Sequence, residues 1–316
     1  MAMILVAGEA LIDFLQVTCN GRDGFVYHPG GSPYNVAIGL ARLGLSAAFL
    51  GAISTDPFGK FLLANLKENR VEVAYVHRVN APTALSFVMH LNRKGEPEYL
   101  FYGQETADTQ LSSNATNAIP PQFPSSVKAI HLGSLAMVRQ PCATALTELM
   151  EREHHARLVS FDPNVRPDQI PDPRGYRKKF SRWLPLVDVL KLSHADLSYI
   201  APGGSEEVVV QRWLSQGPKV IVVTLGQAGA RGYTRSATVE VKAPPVEVVD
   251  TVGAGDAFTA GLLAALDWLG KLSKEAITGL SELDLKRALE YAAKVAAITC
   301  TRVGADPPRR AEVGEP

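Results

Sequence analysis

Short apolar segments alternate with segments of helical hydrophobic spacing along most of this chain, and no other feature limits its fold as strongly. Apolar segments of this length are typical of strands buried on both faces of a sheet. They lie at Met3–Ala7, Ala47–Ile53, Ala129–Leu132, Leu158–Phe161, Val187–Lys191 and Val220–Thr224. Helical spacing occurs at Asn35–Leu43, Phe58–Asn69, Ala143–His155, Tyr176–Leu184 and Glu206–Gln216. Strands and helices that alternate in this way predict an α/β fold, in which helices cover a parallel sheet.

Two segments interrupt the alternation, Phe14–Val26 and Thr83–Phe101. Both carry β-type residues that alternate with polar ones, and neither contains a helical pattern. We interpret them as a small antiparallel sheet that projects from the main domain beside the first helix. A sheet in that position is well placed to act as a lid, although a pair of surface hairpins without a role is the alternative.

Composition and charge exclude several classes of protein. The 316 residues suffice for one large domain or for one with a small appendage. Lys and Arg together number 32, as do Asp and Glu, so no basic excess favours a nucleic-acid partner. The three cysteines, Cys19, Cys142 and Cys300, are too far apart for a disulfide framework. With no basic leader and no apolar segment of membrane-spanning length, we expect a cytoplasmic protein.

The segment Val249–Phe258 (VDTVGAGDAF) carries the strongest chemical signal. Gly253, Ala254 and Gly255 lie directly before a helical run, so the first helical N–H groups can form an anion hole. Asp256 follows in the first turn, where a carboxylate can accept the proton of a hydroxyl that attacks a bound phosphate. Taken alone, Asp256 is equally consistent with a favourable residue at a helix start.

Polar and glycine residues near the amino-terminal end add a second group. Gly30 and Gly31 precede a helix, and Asn35 within it offers both a donor and an acceptor. Asp13 follows the first strand in the phrase GEALID, where its carboxylate can accept hydrogen bonds from two hydroxyls of a polyol. Considered separately, the glycines also fit a plain turn and Asp13 a surface loop.

A third glycine-containing segment follows the apolar strand Val220–Thr224 and reads Thr-x-Gly-x-x-Gly, with Thr224, Gly226 and Gly229. Open α/β sheets bind ligands at this end of a strand. The segment lacks the dinucleotide fingerprint GxGxxG, and the chain has no GxxxxGK[ST] phosphate loop. A phosphate site must therefore come from Gly253–Gly255, and the third segment on its own also fits a simple strand and turn.

The segments Gly30–Gly44 (GGSPYNVAIGLARLG) and Asp250–Phe258 (DTVGAGDAF) resemble the two signature motifs of the ribokinase-like (PfkB) carbohydrate kinases. The resemblance extends from GEALID to TRVGAD at Thr301–Asp306. It implies a three-layer α/β sandwich with a central, mostly parallel sheet and a small β-sheet lid. It also implies a single kinase domain over residues 1–316, with lid segments at about 14–28 and 83–108.

The resemblance implies an ATP- and Mg²⁺-dependent enzyme that phosphorylates a sugar hydroxymethyl group. In this interpretation Asp256 is the catalytic base, Gly253, Ala254 and Gly255 supply the anion hole, and Arg166 lies near the reacting groups. The implied sugar-binding residues are Asp13, Gly30, Gly31, Asn35 and Asn164. The implied nucleotide-binding residues are Lys191, Ser193, Thr224, Gly226 and Gly229, with Ala293 in the helical segment Tyr291–Ile298 beside the adenine.

Two metal sites follow from the same resemblance. The family's Asn-x-x-Glu motif reads Ser193-His194-Ala195-Asp196 here, and Asp196 keeps a carboxylate that can reach a hydrated Mg²⁺ through water. Asp250, Val252, Arg302 and Gly304 match parts of a monovalent-cation site, which would hold K⁺ mostly through backbone carbonyls. The family's later hydroxyl residue of that site corresponds to Pro308.

Within this family the chain is most similar to the fructokinases, at Ile130–Ser134 (IHLGS), Phe161–Pro167 (FDPNVRP) and Phe101–Asp108 (FYGQETAD). In the last segment Gly103 replaces an arginine, which predicts the loss of a fixed cation from the substrate region. Fructose is the predicted acceptor; the alternatives are 2-keto-3-deoxygluconate, with Arg166 as its carboxylate partner, and a nucleoside. Outside this class, the chain would be a non-catalytic sugar or nucleotide sensor. The open edges of the lid favour a homodimer.

Overall fold

The computed structural model describes residues 2–19, 21–89, 98–112 and 119–315. The strands are β1 (Met3–Ala7), β2 (Leu11–Cys19), β3 (Arg22–Gly30), β4 (Ser46–Ser54), β5 (Val76–Val79), β6 (Leu85–Met89), β7 (Glu98–Tyr102), β8 (Val127–Gly133), β9 (Leu158–Asp162), β10 (Val189–Ser193), β11 (Val220–Thr224), β12 (Ala230–Tyr233) and β13 (Thr238–Val241). The α-helices are α1 (Ser32–Arg42), α2 (Pro57–Glu68), α3 (Cys142–Glu153), α4 (Pro173–Trp183), α5 (His194–Ile200), α6 (Glu206–Leu214), α7 (Ala254–Trp268), α8 (Glu282–Thr299) and α9 (Arg310–Val313).

Nine strands form one large sheet in the order β13-β12-β11-β10-β9-β8-β1-β4-β5. From β5 to β11 every neighbouring pair is parallel, whereas β12 and β13 extend the sheet as an antiparallel edge. The predicted mostly parallel sheet is therefore confirmed. The antiparallel edge was not predicted, because its two strands have only four residues each and carry polar residues at alternate positions.

Each central strand is buried on both faces because helices cover both sides of the sheet. In β1, Ile4 and Val6 join the apolar core that includes α1, α2, α7 and α8. Leu5 and Ala7 join the second core, which includes α3, α4, α5 and α6. Successive side chains of a strand point to opposite faces, so a continuously apolar strand is the expected centre of a three-layer fold.

The four-stranded second sheet has the order β3-β2-β6-β7 and confirms the predicted small sheet, whose role as a lid stays a prediction. It is not wholly antiparallel as predicted, since β2 and β6 pair in parallel at its centre. A parallel pair requires a long crossover connection, and the chain passes through α1, β4, α2 and β5 between these two strands. Residues 90–97 of the second predicted lid segment lie outside the described residues.

Within the described residues, no helix has the length and the apolar character that a membrane crossing requires. The longest helix, α8, carries charged residues along its exposed side and packs its apolar side against α7. The apolar surface of the helices is thus used to cover the sheet.

Candidate active site

The carboxyl ends of the parallel strands meet at one edge of the large sheet, and the small sheet lies over that edge. Between them is a cavity of about 440 Å³. Nine residues predicted from the sequence line it: Asp13, Gly31, Asn35, Asn164, Arg166, Val252, Gly253, Gly255 and Asp256. This is the position where open α/β sheets bind ligands. Four distant parts of the chain therefore contribute to one site.

Two glycines begin the helices that point into this cavity. Gly31 precedes α1 with φ 104°, and a Cβ atom on it would lie 2.6 Å from the Glu9 carbonyl oxygen. Gly253 precedes α7 with φ 75°, and a Cβ atom there would lie 2.7 Å from the Ala305 Cα. L-residues with side chains rarely adopt such φ values. Glycine is thus required for both helices to begin where they do.

The start of α7 offers backbone amides to an anion. Of the three predicted amides, that of Ala254 donates to the Thr251 carbonyl at 3.2 Å. Among the described residues, the amides of Gly253 and Gly255 have no hydrogen-bond acceptor. Both residues line the cavity, whereas Ala254 is not among its lining residues. The unpaired amides and the positive end of the helix dipole make this the natural place for a phosphate.

Asp256 lies in the first turn of α7 and is buried. Its Oδ1 accepts a hydrogen bond from the Ser32 hydroxyl at 2.6 Å, and its Oδ2 accepts one from Asn35 Nδ2 at 2.8 Å. Burial raises the pKa of this carboxyl, although both hydrogen bonds and the Lys191 ammonium act in the opposite direction. A buried carboxyl with a raised pKa, held in a single orientation, has the properties of a general base.

Asp13 faces the same cavity from strand β2 of the small sheet. Burial and the negative charge of Asp256 raise the pKa of Asp13 to about 6, although a hydrogen bond from Ser86 and the Arg166 charge lower it. Gly30 does not line the cavity, but a Cβ atom on it would lie 2.1 Å from Asp13 Oδ2. The absence of a side chain at Gly30 therefore leaves room for the Asp13 carboxylate.

Arg166 lies at the rim of the cavity and is exposed. Its Nη1 donates to the side-chain Oδ1 of Asn164 at 2.6 Å, and the backbone N–H of Asn164 donates to Asp162 Oδ1 at 3.1 Å. Asn164 has φ 38°, a left-handed conformation that asparagine tolerates better than most residues. The segment after β9 thus holds the guanidinium close to the cavity without burying it.

Lys191 was predicted beside the nucleotide phosphates, and the structure buries it directly below the start of α7. Its Nζ donates to Asp162 Oδ2 at 2.7 Å, and both side chains are almost fully buried. A Cβ atom on Gly255 would lie 3.2 Å from this Nζ. The ammonium therefore adds positive charge beneath the amides of Gly253 and Gly255.

The remaining predicted nucleotide residues lie near the ends of β10 and β11. Ser193 and Thr224 are paired in register at these two ends, and Gly226 follows with φ 59° and open space around it. Gly229 packs its backbone against β13, where a Cβ atom would lie 1.9 Å from the Val241 carbonyl oxygen. Ala293 belongs to the apolar core and is 5% exposed, so it presents little surface to a ligand.

Asp196, predicted as a magnesium residue, caps helix α5. Its Oδ2 accepts hydrogen bonds from the backbone amide and the hydroxyl of Ser193, and its Oδ1 accepts one from the Val165 amide at 2.8 Å. In the described part of the chain, no group of three or more His, Cys, Asp or Glu residues is arranged to hold a metal ion. Both carboxylate oxygens of Asp196 thus already accept protein donors, and a role of this residue towards a metal stays a prediction.

Asp250, predicted for the monovalent cation, joins two loops next to the site. Its Oδ1 accepts the Val252 amide at 3.0 Å, and its Oδ2 accepts the Gly304 amide at 2.7 Å. The Gly304 carbonyl accepts a hydrogen bond from the Asp306 amide at 2.9 Å, and the Arg302 guanidinium pairs with Glu312. The two loops do come together, and cation binding through their carbonyls remains a prediction.

Ser32 and Glu9 are two of the site residues that were missed at the sequence level. Ser32, whose hydroxyl donates to Asp256, lies in the motif Gly30–Gly44, and no separate role was predicted for it. Glu9 is 1% exposed and lines the cavity, where it accepts the amides of Ser32 and Ala136 at 3.3 and 3.0 Å. Burial raises the pKa of Glu9 to about 7. The signal for Glu9 was its place in the phrase GEALID, directly after a buried strand.

Comparison with known proteins gives the same picture. A family model described as pfkB family carbohydrate kinase matches residues 1–311. The fructokinase of Rhizobium leguminosarum bv. trifolii is 37% identical over 285 residues, which cover 90% of this chain and 86% of that protein.

Solved structures agree with the sequence matches. A fructokinase from Xylella fastidiosa with bound ATP has a TM-score of 0.86 and 32% identity, and the match covers 96% of this chain and 93% of that one. A double mutant of the fructokinase from Vibrio cholerae O395, with fructose, ADP and potassium ion bound, has a TM-score of 0.82 and 28% identity. That match covers 96% of this chain and 94% of the other.

Both signature motifs, GGSPYNVAIGLARLG and DTVGAGDAF, lie inside the matched range, and the two helix starts that they encode form the walls of one cavity. The resemblance found in the sequence is therefore confirmed over nearly the whole chain. The chain belongs to the pfkB family of carbohydrate kinases.

Proposed function

We propose that this protein transfers the γ-phosphoryl group of ATP to a hydroxymethyl group of fructose. The observation that carries the proposal is the cavity itself, in which an oriented buried carboxylate, two unpaired helix-start amides and a second carboxylate face each other. The similar proteins from Rhizobium and Xylella, which are named fructokinases, support fructose as the acceptor. A cytoplasmic location is part of the same proposal.

In the proposed reaction, Asp256 accepts the proton of the sugar hydroxyl as the new O–P bond forms and the bond from the γ-phosphorus to ADP breaks. The Ser32 hydroxyl donates to Asp256 Oδ1, and the sugar hydroxyl donates to a second acceptor site of the same carboxylate. The amides of Gly253 and Gly255 hold the transferred group, and Lys191 and Arg166 offset its charge. Asp13 accepts hydrogen bonds from other sugar hydroxyls.

We propose Mg²⁺ as the metal that accompanies ATP, held mainly by the phosphates and by water. Both oxygens of Asp196 already accept protein donors, which favours a contact through water over a direct one. Mg²⁺ would neutralise phosphate charge during transfer. K⁺ is proposed next to Asp250, on backbone carbonyls of the two loops that this residue joins.

A sugar panel tests the function. The protein is mixed with ATP, Mg²⁺ and one acceptor at a time, and ADP release is measured with fructose, glucose, 2-keto-3-deoxygluconate and a set of ribosides. We expect ADP release to be greatest with fructose. Turnover with ribosides alone would replace the proposal by a nucleoside kinase, and turnover with 2-keto-3-deoxygluconate by a sugar-acid kinase. Ligand binding without ADP release in any reaction would identify a sensor.

The pH dependence of kcat/KM for the sugar follows from Asp13 and Asp256. Both must be ionised in the free enzyme, and burial raises the pKa of both, that of Asp13 to about 6. Activity should therefore fall as the pH is lowered through about 6 and should level off above it. The measurement is kcat/KM between pH 5 and 8 at constant ionic strength. A profile that stays flat down to pH 5 would contradict this assignment.

The variant Asp13→Asn removes the titration of Asp13 from this pH profile and leaves that of Asp256. The variant should bind the sugar more weakly at every pH, because an amide cannot accept hydrogen bonds from two hydroxyls as a carboxylate does. The variant also removes a negative charge that disfavours the ionised form of Asp256. The fall of kcat/KM at low pH, which is then due to Asp256, should therefore move to lower pH. If the fall of kcat/KM at low pH is the same in the variant and the wild type, the ionisation of Asp13 does not control the activity.

We also propose a homodimer that forms through the outer face of the small sheet. The inner face of this sheet carries Asp13, while the outer face exposes Phe25, Tyr27, Leu100 and Tyr102 at 41% to 56%. On the same side, Phe14 stacks on Phe87 with ring centroids 4.7 Å apart. An exposed aromatic patch on an open sheet favours a protein partner, and the simplest partner is a second copy.

Light scattering during gel filtration tests the dimer. The protein should have twice the 34.0 kDa mass of one chain, and the double variant Tyr27→Lys/Tyr102→Lys should be monomeric, because two charges would be buried at the interface. Val208→Lys is the control, since Val208 is 67% exposed on helix α6, outside the small sheet. A wild-type monomer at micromolar concentration would contradict the proposal.

A further inference from the structure

The guanidinium of Arg139 lies directly behind the wall of the cavity, and the proposed reaction does not use it. Its carbon is 3.9 Å from the centroid of the Phe101 ring, and its Nη2 donates to Gln169 Oε1 at 3.1 Å. Phe101 belongs to β7 of the small sheet, whereas Gln169 follows Arg166 in the main domain, and both line the cavity. Arg139 thus connects the two sides of the site from behind.

Gly103 provides the space for this arginine. A Cβ atom on Gly103 would lie 2.3 Å from Arg139 Nη1 and 1.9 Å from Phe101 Cε1. The φ angle of Gly103 is not in the left-handed region, so space and not backbone conformation excludes a side chain. Arg139, from the segment before α3, fills the space that Gly103 leaves, but it is not among the residues that line the cavity. The expectation that Gly103 leaves the substrate region without a fixed cation therefore stays a prediction.

The charge of Arg139 is neutralised where it lies. Its Nη1 is 3.3 Å from Asp108 Oδ2, and the side chains of the pair are 14% and 2% exposed. The same nitrogen is 3.4 Å from the Gly103 carbonyl oxygen. The residues that line the cavity at this point are Phe101 and Gln169, and Arg139 is not among them. A ring face and an amide suit a neutral polyol and offer no counter-ion to a sugar carboxylate.

We infer that Arg139 is a positioning residue for the acceptor site: it holds Phe101 of the small sheet and Gln169 of the main domain in the arrangement that receives a neutral sugar. This inference rests on the proposed function and adds the acceptor class to it. Arg139 acts on the sugar only through its two neighbours. Its replacement should therefore change KM for the sugar far more than kcat or KM for ATP.

Arg139→Lys is the informative variant, because lysine keeps the charge beside Asp108 but lacks the planar guanidinium group that bonds to Gln169 and stacks on Phe101. KM for fructose should rise about tenfold, because the wall that orients the sugar is no longer held in place, while kcat and KM for ATP change less than about twofold. Arg139→Ala should have a larger effect on KM and should also lower the melting temperature, since Asp108 would be left buried without its counter-ion.

Arg157→Ala is the matched control. Arg157 is buried to the same extent as Arg139, with 13% of its side chain exposed, and it pairs with the buried Glu153. Its guanidinium also lies over a phenylalanine, 5.9 Å from the Phe123 centroid, but away from the cavity. This variant should lower the melting temperature as Arg139→Ala does, with an unchanged KM for the sugar. Equal KM effects from both replacements would reduce Arg139 to a structural residue and overturn the inference.

Gly103→Ala gives an independent test of the spatial argument. In the wild type the added methyl group must displace both Arg139 and the Phe101 ring that Arg139 holds, so KM for the sugar should rise. In the Arg139→Ala background the ring is no longer held and can move aside, so the same methyl group should raise KM by a smaller factor. Additive effects of the two substitutions would contradict the inference. If the wild type uses another sugar of the panel, KM is measured for that sugar. A wild type that phosphorylates none overturns the proposed function and this inference together, whereas an active wild type with insensitive Arg139 variants overturns only the inference.

Discussion

Replacing Asp256 by asparagine is expected to lower kcat with fructose about 10³-fold, the order of magnitude for the loss of a positioned general base. Asparagine has the same shape, and its oxygen can still accept the Ser32 hydroxyl that now lies 2.6 Å from Oδ1. It cannot take up a proton at neutral pH. The new NH2 group takes the place of Oδ2, so the Asn35 amide must turn and accept from it. With that turn the geometry of the site is kept while the proton acceptor is lost. Steady-state kinetics with fructose, together with ATP binding by calorimetry, measure the two effects.

ATP binding should change little in this variant, because the phosphates are held by the amides of Gly253 and Gly255. Asp267→Asn is the control. Asp267 lies about three turns further along the same helix, and burial also raises its pKa, but it is not among the residues that line the cavity. The assignment of the base fails if Asp256→Asn keeps near wild-type turnover, or if both replacements reduce kcat equally.

Gly255→Val should lower kcat/KM for both substrates by about 10²-fold or more, as removal of a single anion-hole donor does. The backbone of Gly255 is helical, and the only described atom within 4 Å of an added Cβ is Lys191 Nζ, at 3.2 Å. The added side chain therefore points towards the buried Lys191 ammonium, which must shift, and it crowds the start of α7, where we expect the transferred phosphoryl group. The kinetics are measured well below the melting temperature of the variant, which separates this effect from unfolding.

A graded series makes the anion-hole test sharper. Gly255→Ala adds one methyl group and should reduce kcat/KM less than valine does, because part of the space remains free. Gly279→Val is the control, since Gly279 has an ordinary φ and no atom within 4 Å of an added Cβ, and it lies outside the cavity. Equal activity of wild type and Gly255→Val would show that the phosphoryl group does not pass over the start of α7.

Much of the fold could be predicted because the apolar patterns that mark strands and helices depend only on residues close together in the sequence. Strands β1 and β11 were predicted with their observed bounds, since each is a continuous apolar run buried on both faces. Strand β10 begins two residues later than predicted, at Val189, because Val187 follows a helical turn and Asp188 is buried in contacts with β9. The antiparallel edge strands were missed because four-residue strands leave too short a pattern to recognise.

The candidate site was predicted less completely, and the reason is sequence separation. Asp256, Asn35 and Asp13 were found because each follows a glycine turn or a buried strand, which is a local signal. The Ser32 hydroxyl bonds to Asp256 across 224 residues, and nothing near either residue indicates this contact. Arg139 was missed for the same reason, because its partners Gly103 and Gln169 lie in other segments.

By itself, the sequence determined which segments become buried strands, where glycines start α1 and α7, and which carboxylate follows the second of these turns. These properties depend on neighbours a few residues away, through side-chain periodicity and backbone conformation. Only the tertiary structure decided that both helix starts meet at one cavity, that Ser32 and Asn35 orient Asp256, and that Arg139 fills the space left by Gly103. Those contacts depend on the order of strands in the two sheets, which no local pattern encodes.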